Sequence, residues 1–219
     1  MAHSRRDFVQ QLALGSMGVA GLGHTIPADL FPAQAGPWDT SWAARIKGKH
    51  KACFDCTEPE SGYGVWRANA WFGQYMDVLK VSASDLSPVI ILRHNAIVLT
   101  LQHAFIKKYA LGKKFGVTHP LTGAAIEQNP ALLDEKDGIP APFNNGALPK
   151  QIARGVIALA CNLALQDVVD VVAAADKVND AEARKRSLAA MLPGVILQPS
   201  GVFAAVRAQE AGCAYVKAS

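Results

Sequence analysis

The chain reads as an α/β three-layer sandwich around a five-stranded parallel sheet. Three observations predict it. Short apolar runs of strand length alternate with longer runs whose apolar residues recur at helical spacing, through to a fifth strand. Two of the strand-length runs, 88–93 and 155–160, are apolar nearly throughout, as expected where helices cover both faces of a sheet. Glycine, proline, serine and asparagine punctuate the boundaries.

The first strand is expected over 51–57, ending in the turn-rich run Glu58, Pro59, Glu60, Ser61 and Gly62. A helix follows over 64–80, where Val65, Ala68, Phe72, Tyr75, Met76 and Leu79 recur at helical spacing. A loop over 82–87 leads to the second strand, 88–93, and a helix is expected over 96–110. The stretch 112–150 differs, holding Pro120, Pro130, Pro140, Pro142 and Pro149 with Gly112, Gly116, Gly123, Gly138 and Gly146. A Pro/Gly-rich insertion of this length is unusual inside a compact domain, and it reads as a lid or an arm against a neighbouring subunit. A helical turn is expected near 149–153. The third strand is 155–160, followed by helices over 163–175 and 180–191, the latter N-capped by Asn179. The fourth strand is 194–198. Pro199, Ser200 and Gly201 turn the chain into a helix over 202–211, Gly212 ends it, and 213–216 forms a short fifth strand.

A chain of 219 residues that is 50% apolar can bury one well-packed core, and 18% charged residues argue against bulk disorder. The net charge of +4 is spread out, apart from short patches over 47–51, 107–114 and 184–186. No basic stripe is interleaved with stacking aromatics, so nucleic acid is not an expected partner. The N-terminus carries the strongest signal. Arg5 and Arg6 precede Phe8 and an apolar run over 12–23, the twin-arginine export pattern. That run is far shorter than the ~20 residues of a spanning helix. Ala33, Gln34 and Ala35 offer a small-x-small cleavage site before Gly36. The expected organisation is a twin-arginine signal peptide over 1–35, read by the twin-arginine translocase, followed by a single domain over 36–219. The mature chain is expected in the periplasm, with no membrane association after processing.

In a parallel sheet, functional groups gather beyond the carboxyl ends of the strands. Those ends offer Asp55, Cys56 and Glu58; His94 and Asn95; Cys161 and Asn162; and Ser200 and Gly201. Cys161 stands where a buried strand meets a helix N-terminus, whose partial positive charge and free N–H groups favour a thiolate. Asn162 is expected to cap that helix and Asn95 the one before it. His94 could serve Cys161 as acid or base. Arg93 is either an anion contact or an edge residue. Cys53 and Cys56 have redox-pair spacing, but on a strand they face opposite sides and lie roughly 10 Å apart, beyond the roughly 7 Å Cα limit of a disulfide. Cys56 could instead approach Cys161 as a resolving thiol. Cys213 is expected in the core. There is no P-loop, dinucleotide fingerprint, nucleophile-elbow serine or paired-histidine zinc motif, and His50, His103 and His119 lack metal-ligand spacing. No metal is assigned, and the cofactor is left open.

The run Arg154, Gly155, Val156, Ile157, Ala158, Leu159, Ala160, Cys161, with the small-residue-rich helix after it, resembles the DsrE/DsrF-like sulfur-relay family. So do Pro199, Ser200, Gly201 and Val202, and Gln209, Glu210, Ala211 and Gly212 before the last strand. The resemblance covers 49–216 in element order. It implies a five-stranded parallel α/β fold, a homo-oligomer, and a cysteine at position 161 that carries sulfur as a persulfide between a donor and an acceptor protein. The insertion over 112–150 and the export signal depart from typical members.

Three functions follow. The first is a periplasmic thiol protein centred on Cys161, tuned by His94. The second is a non-catalytic module binding a small ligand or metal at the strand ends, with Asn95, Asn162, Cys56, Ser200 and Gly201 around it. The third is a structural oligomer with occluded strand ends.

Overall fold

Apolar strands with both faces to bury can satisfy their backbone only by pairing beneath helices on each side. The computed structural model, which describes residues 37–140 and 143–219, shows that arrangement. Strands β1 (His50–Cys56), β2 (Leu86–Leu92), β3 (Ile157–Cys161), β4 (Val195–Gln198) and β5 (Ala214–Lys217) form one sheet. Its order is β4-β3-β2-β1-β5, with every neighbouring pair parallel. All residues of β2 and β3 are buried, while the short edge strands β4 and β5 are largely half-buried or exposed. The predicted signal peptide over 1–35 lies outside the described residues.

The helices are α1 (Tyr63–Val78), α2 (His103–Lys108), α3 (Leu111–Phe115), α4 (Leu148–Ala153), α5 (Asn162–Asp176), α6 (Asp180–Ala189) and α7 (Gly201–Glu210). Alternate strand residues feed two cores. On one face Phe54, Ile90, Leu92 and Ala158 meet Val65 and Ala68 of α1 and Leu165, Val168 and Val172 of α5. On the other, Cys53, Val89, Ile91, Ile157 and Leu159 meet Ala204 and Ala208 of α7, with Trp42 of a 3-10 turn (Ser41–Arg45). Among the described residues no helix is long and apolar enough to cross a membrane.

One expectation changes. The helix expected over 96–110 is a 3-10 segment (His94–Thr100), a break at Leu101, then α2. Ala96, Ile97, Val98 and Leu99 are fully buried, so the segment has no solvent face. Its carbonyls are taken by tertiary partners: Asn129 Nδ2 donates to Leu99 O at 2.8 Å and Leu101 O at 2.7 Å, and Leu192 N donates to Thr100 O at 2.8 Å. An α-helical ladder would have competed for those same oxygens. The 112–150 insertion packs, in its described part, on its own domain. Glu127 accepts the Gly112 and Lys113 N–H groups at 2.7 and 2.9 Å, and Thr118 meets Ser61 hydroxyl to hydroxyl at 2.5 Å. Leu133 and Ile139 close over Trp66 of α1.

The connections decide where a site can form. The β3–β4 connection leaves through α5 on one face, whereas β4 leaves through α7 on the other. The carboxyl ends of the strands are the usual ligand position in such sheets, and β3 and β4 end side by side at the starts of α5 and α7.

Candidate functional site

The carboxyl ends of β3 and β4 lead into two helix starts. Cys161 ends β3 in register with Gln198 of β4. It is also the N-cap of α5: its backbone is extended at φ −83° and ψ 118°, and its Sγ accepts the Ala164 N–H at 3.4 Å. Ser200 plays the same part for α7, its Oγ accepting the Phe203 N–H at 3.0 Å. Asn162 and Gly201 are the first helical residues. Four of the residues singled out in the sequence thus stand at two helix N-termini that follow neighbouring strands.

Asn162 does not cap α5, contrary to expectation. The strand runs one residue further than its apolar pattern suggests, so Cys161 takes the extended capping position and Asn162 falls inside the helix. Asn162 is fully buried there, and its Oδ1 accepts a hydrogen bond from Nη2 of Arg184 on α6. The other guanidinium nitrogen, Arg184 Nη1, is sealed from solvent and meets no acceptor among the described residues. Burial lowers the pKa of Arg184.

The carboxyl ends of β1, β2 and β5 are arranged differently. Asp55, 2% exposed, receives Arg93 Nε and Nη2 at 2.7 and 2.8 Å and the Tyr215 hydroxyl at 2.6 Å. Hydrogen bonding to Asp55 raises the pKa of both Arg93 and Tyr215. Arg93 is therefore a buried-carboxylate partner rather than a bare edge residue. Its stem crosses Gly201: a Cβ there would lie 2.4, 2.6 and 2.9 Å from Arg93 Cδ, Cβ and Cγ. Glu58 receives His94 Nδ1 at 2.8 Å and Asn95 Nδ2 at 2.7 Å. Asn95 therefore holds a carboxylate, and the residue before the 3-10 segment, Arg93, makes no side-chain cap. His94, at φ +52°, turns its imidazole to the β1 side of β2, whereas Cys161 ends β3 on the other side. The Ser219 hydroxyl accepts the N–H groups of Thr57 and Glu58 at 2.7 and 2.9 Å, closing this end of β1.

The four thiols divide the same way. Cys56 and Cys161 do not sit on neighbouring strands, as a resolving pair would require; β2 lies between β1 and β3. Two strand spacings put their Cα atoms roughly 10 Å apart, outside the ~7 Å that a disulfide needs. Cys56 is fully buried against Gly64, where an added Cβ would lie 2.6 Å from its Sγ. Burial first, then the nearby Asp55 charge, push its pKa far up. Cys53 faces the opposite core, and burial raises it to about 12. Cys213 is buried just ahead of β5 and raised by burial to about 11. Cys161 is the one whose sulfur is engaged by a helix N–H.

Among the described residues no three His, Cys, Asp or Glu side chains gather into a metal-holding group. Comparison with protein-family profiles, curated proteins and solved structures finds no match to this chain. Sequence reasoning passed over Arg184 and Tyr215, and it left Asp55 without a role. Asp55 had a usable signal, because a carboxylate inside a strand buried on both faces must find a cation, and Arg93 ends the next strand. Arg184 had none, since its contact with Asn162 is set by how α6 crosses α5.

Proposed function

We propose that this chain handles sulfur through the thiol of Cys161, acting as a homo-oligomer in the periplasm after twin-arginine export, as its likeness to the DsrE/DsrF-like proteins and its Arg5–Arg6 signal imply. One observation carries the reading. Cys161 ends β3 beside β4, with its Sγ on the Ala164 N–H at the start of α5. Helix N-termini stabilise thiolates, the reactive form of cysteine. The other three thiols lie in surroundings that disfavour ionisation.

The chemistry balances without an oxidant. The Cys161 thiolate attacks the terminal sulfur of a donor persulfide, the donor leaves as its thiolate, and Cys161 holds the new S–S bond. An acceptor thiolate then takes the outer sulfur and returns Cys161 to its thiolate. The test is to incubate the purified mature protein with glutathione persulfide and look for one added sulfur on the Cys161 peptide by mass spectrometry. The wild type should gain it and Cys161→Ser should not. Equal loading of the variant sinks the proposal.

A second reading, a non-catalytic small-ligand module, is favoured by the α5 and α7 N-termini that follow the neighbouring strands β3 and β4, since helix starts suit a small anion. A metal analysis and absorption spectrum of exported protein test it. Colourless, metal-free protein that binds no added phosphate counts against it.

A further inference from the structure

We infer that Arg184 is the charge partner of Cys161 in its anionic form: a positioning residue on α6 whose guanidinium faces the start of α5 and is balanced there only when the sulfur carries a negative charge. The inference rests on the sulfur-handling reading above and names what sustains the anion at that site.

Three observations lead to it. The Nη2 of Arg184 donates to Asn162, the residue directly after Cys161, so the guanidinium reaches the N-terminal end of α5. That end carries the partial positive charge of the helix and repels a cation. Finally, Nη1 of the same group is sealed from solvent with no acceptor among the described residues. Arg184 is half-buried, and a guanidinium nitrogen sealed from solvent without an acceptor is costly. Such a group in a native protein calls for an anion at some stage of its work.

The surrounding charges do not supply that anion. Arg93 and His94, at the end of β2, are taken by Asp55 and Glu58. On α6 itself, Arg186 is matched by Asp176 and by Glu182, the carboxylate nearest Arg184 in sequence. Asp180 opens α6, and Asp167 lies on α5 a turn and more below its start. A thiolate or persulfide anion at Cys161, one residue from Asn162, is the charge that this guanidinium lacks.

The experiment is the pH profile of iodoacetamide labelling at Cys161 in the native full-length mature protein, read by mass spectrometry, for wild type, Arg184→Gln and Arg184→Lys. Loss of the cation should raise the apparent pKa of labelling by about one unit and slow labelling near neutrality about tenfold. Arg184→Lys, which keeps the charge, should stay close to wild type. A merely structural brace would move melting temperature without moving this profile. A second measurement serves if Arg184→Gln folds poorly. Cys161→Asp places a fixed anion at the cap, and it should be more stable than Cys161→Asn when Arg184 is present and lose that advantage in Arg184→Gln. Overlapping profiles for wild type and a folded Arg184→Gln overturn the inference and leave the sulfur reading standing. Native wild-type Cys161 that labels only after unfolding overturns both.

Discussion

The two ends of the sheet's upper edge handle charge in opposite ways. At β1, β2 and β5 each charged group has its counterpart: Asp55 with Arg93 and Tyr215, and Glu58 with His94 and Asn95, with Ser219 closing the backbone N–H pair at Thr57 and Glu58. After β3 and β4 come two helix N-termini capped by Cys161 and Ser200, and the guanidinium of Arg184 has an orphaned nitrogen. A satisfied polar network rigidifies, whereas an unsatisfied one stores a cost that a ligand or an ionised side chain can relieve. The first end is a latch holding three strands together, and the second leaves a guanidinium nitrogen unmatched.

The sharpest way to break this contrast is stability. Asp55→Ala leaves Arg93 buried in part and unpaired, with the Tyr215 hydroxyl stranded beside it, and should cost about 3–5 kcal/mol in urea denaturation. Arg184→Met removes a half-buried guanidinium hydrogen-bonded to the neutral Asn162 amide, and should change stability by about 1 kcal/mol. If the two variants lose similar amounts, the latch and the open end are not different in kind.

Gly201 joins the two regions, since it starts α7 at the open end while the stem of Arg93 lies across its Cα. A methyl there meets backbone-proximal carbons that cannot swing aside. Gly201→Ala should therefore cost about 1–3 kcal/mol. It should also loosen the Arg93–Asp55 pair, visible as faster hydrogen exchange at the end of β2. Wild-type stability in this variant would mean that Arg93 has another rotamer available and that the regions are not coupled through it.

These contrasts also mark what could be read in advance. The sheet, its parallel strands and the flanking helices were legible because hydrophobic period and turn residues are local properties of 51–57, 64–80 or 163–175. The segment 94–101 was not, because its backbone oxygens are claimed by Asn129 and Leu192, far away in sequence. Within the site, Cys161, Asn162, Ser200 and Gly201 were found by the strand-end rule, since that rule depends only on element order. The supposed meeting of Cys56 with Cys161 failed because strand order, which interposes β2, is a tertiary fact. Arg184 was invisible for the same reason.

A third prediction concerns acid, on the far side of the molecule from either strand end. Asp176 accepts from the Tyr109 hydroxyl at 2.6 Å, Lys108 at 3.1 Å and Arg186 at 2.5 Å, tying α2 to the ends of α5 and α6. The Tyr109 and Lys108 hydrogen bonds, the largest influences, lower its pKa from 3.8 to about 2. A carboxylate lowered on folding stabilises the protein fully above its unfolded value and loses that contribution as pH falls through the folded one. The melting-temperature gap between wild type and Asp176→Asn should thus hold at neutral pH and shrink between about pH 4 and pH 2. A constant gap would show that the carboxylate charge is not what ties these helices.

The smallest expected effect bears most directly on function. Glu58 and His94 form a hydrogen-bonded pair whose side chains are both about two-fifths exposed, at 42% and 43%. Exposed pairs contribute little, so Glu58→Gln should change stability by under about 1 kcal/mol. What matters is its effect on Cys161. If His94 were the acid or base for the thiol, freeing it from Glu58 would change the pH profile of Cys161 labelling, and His94→Ala would change it further. The structure turns the imidazole to the β1 side of β2, with Cys161 beyond the other side of that strand. Both variants should therefore label like wild type, while Arg184→Gln does not. A shift in His94→Ala equal to that in Arg184→Gln would join the two ends into one site, and the division between latch and open end would have to be abandoned.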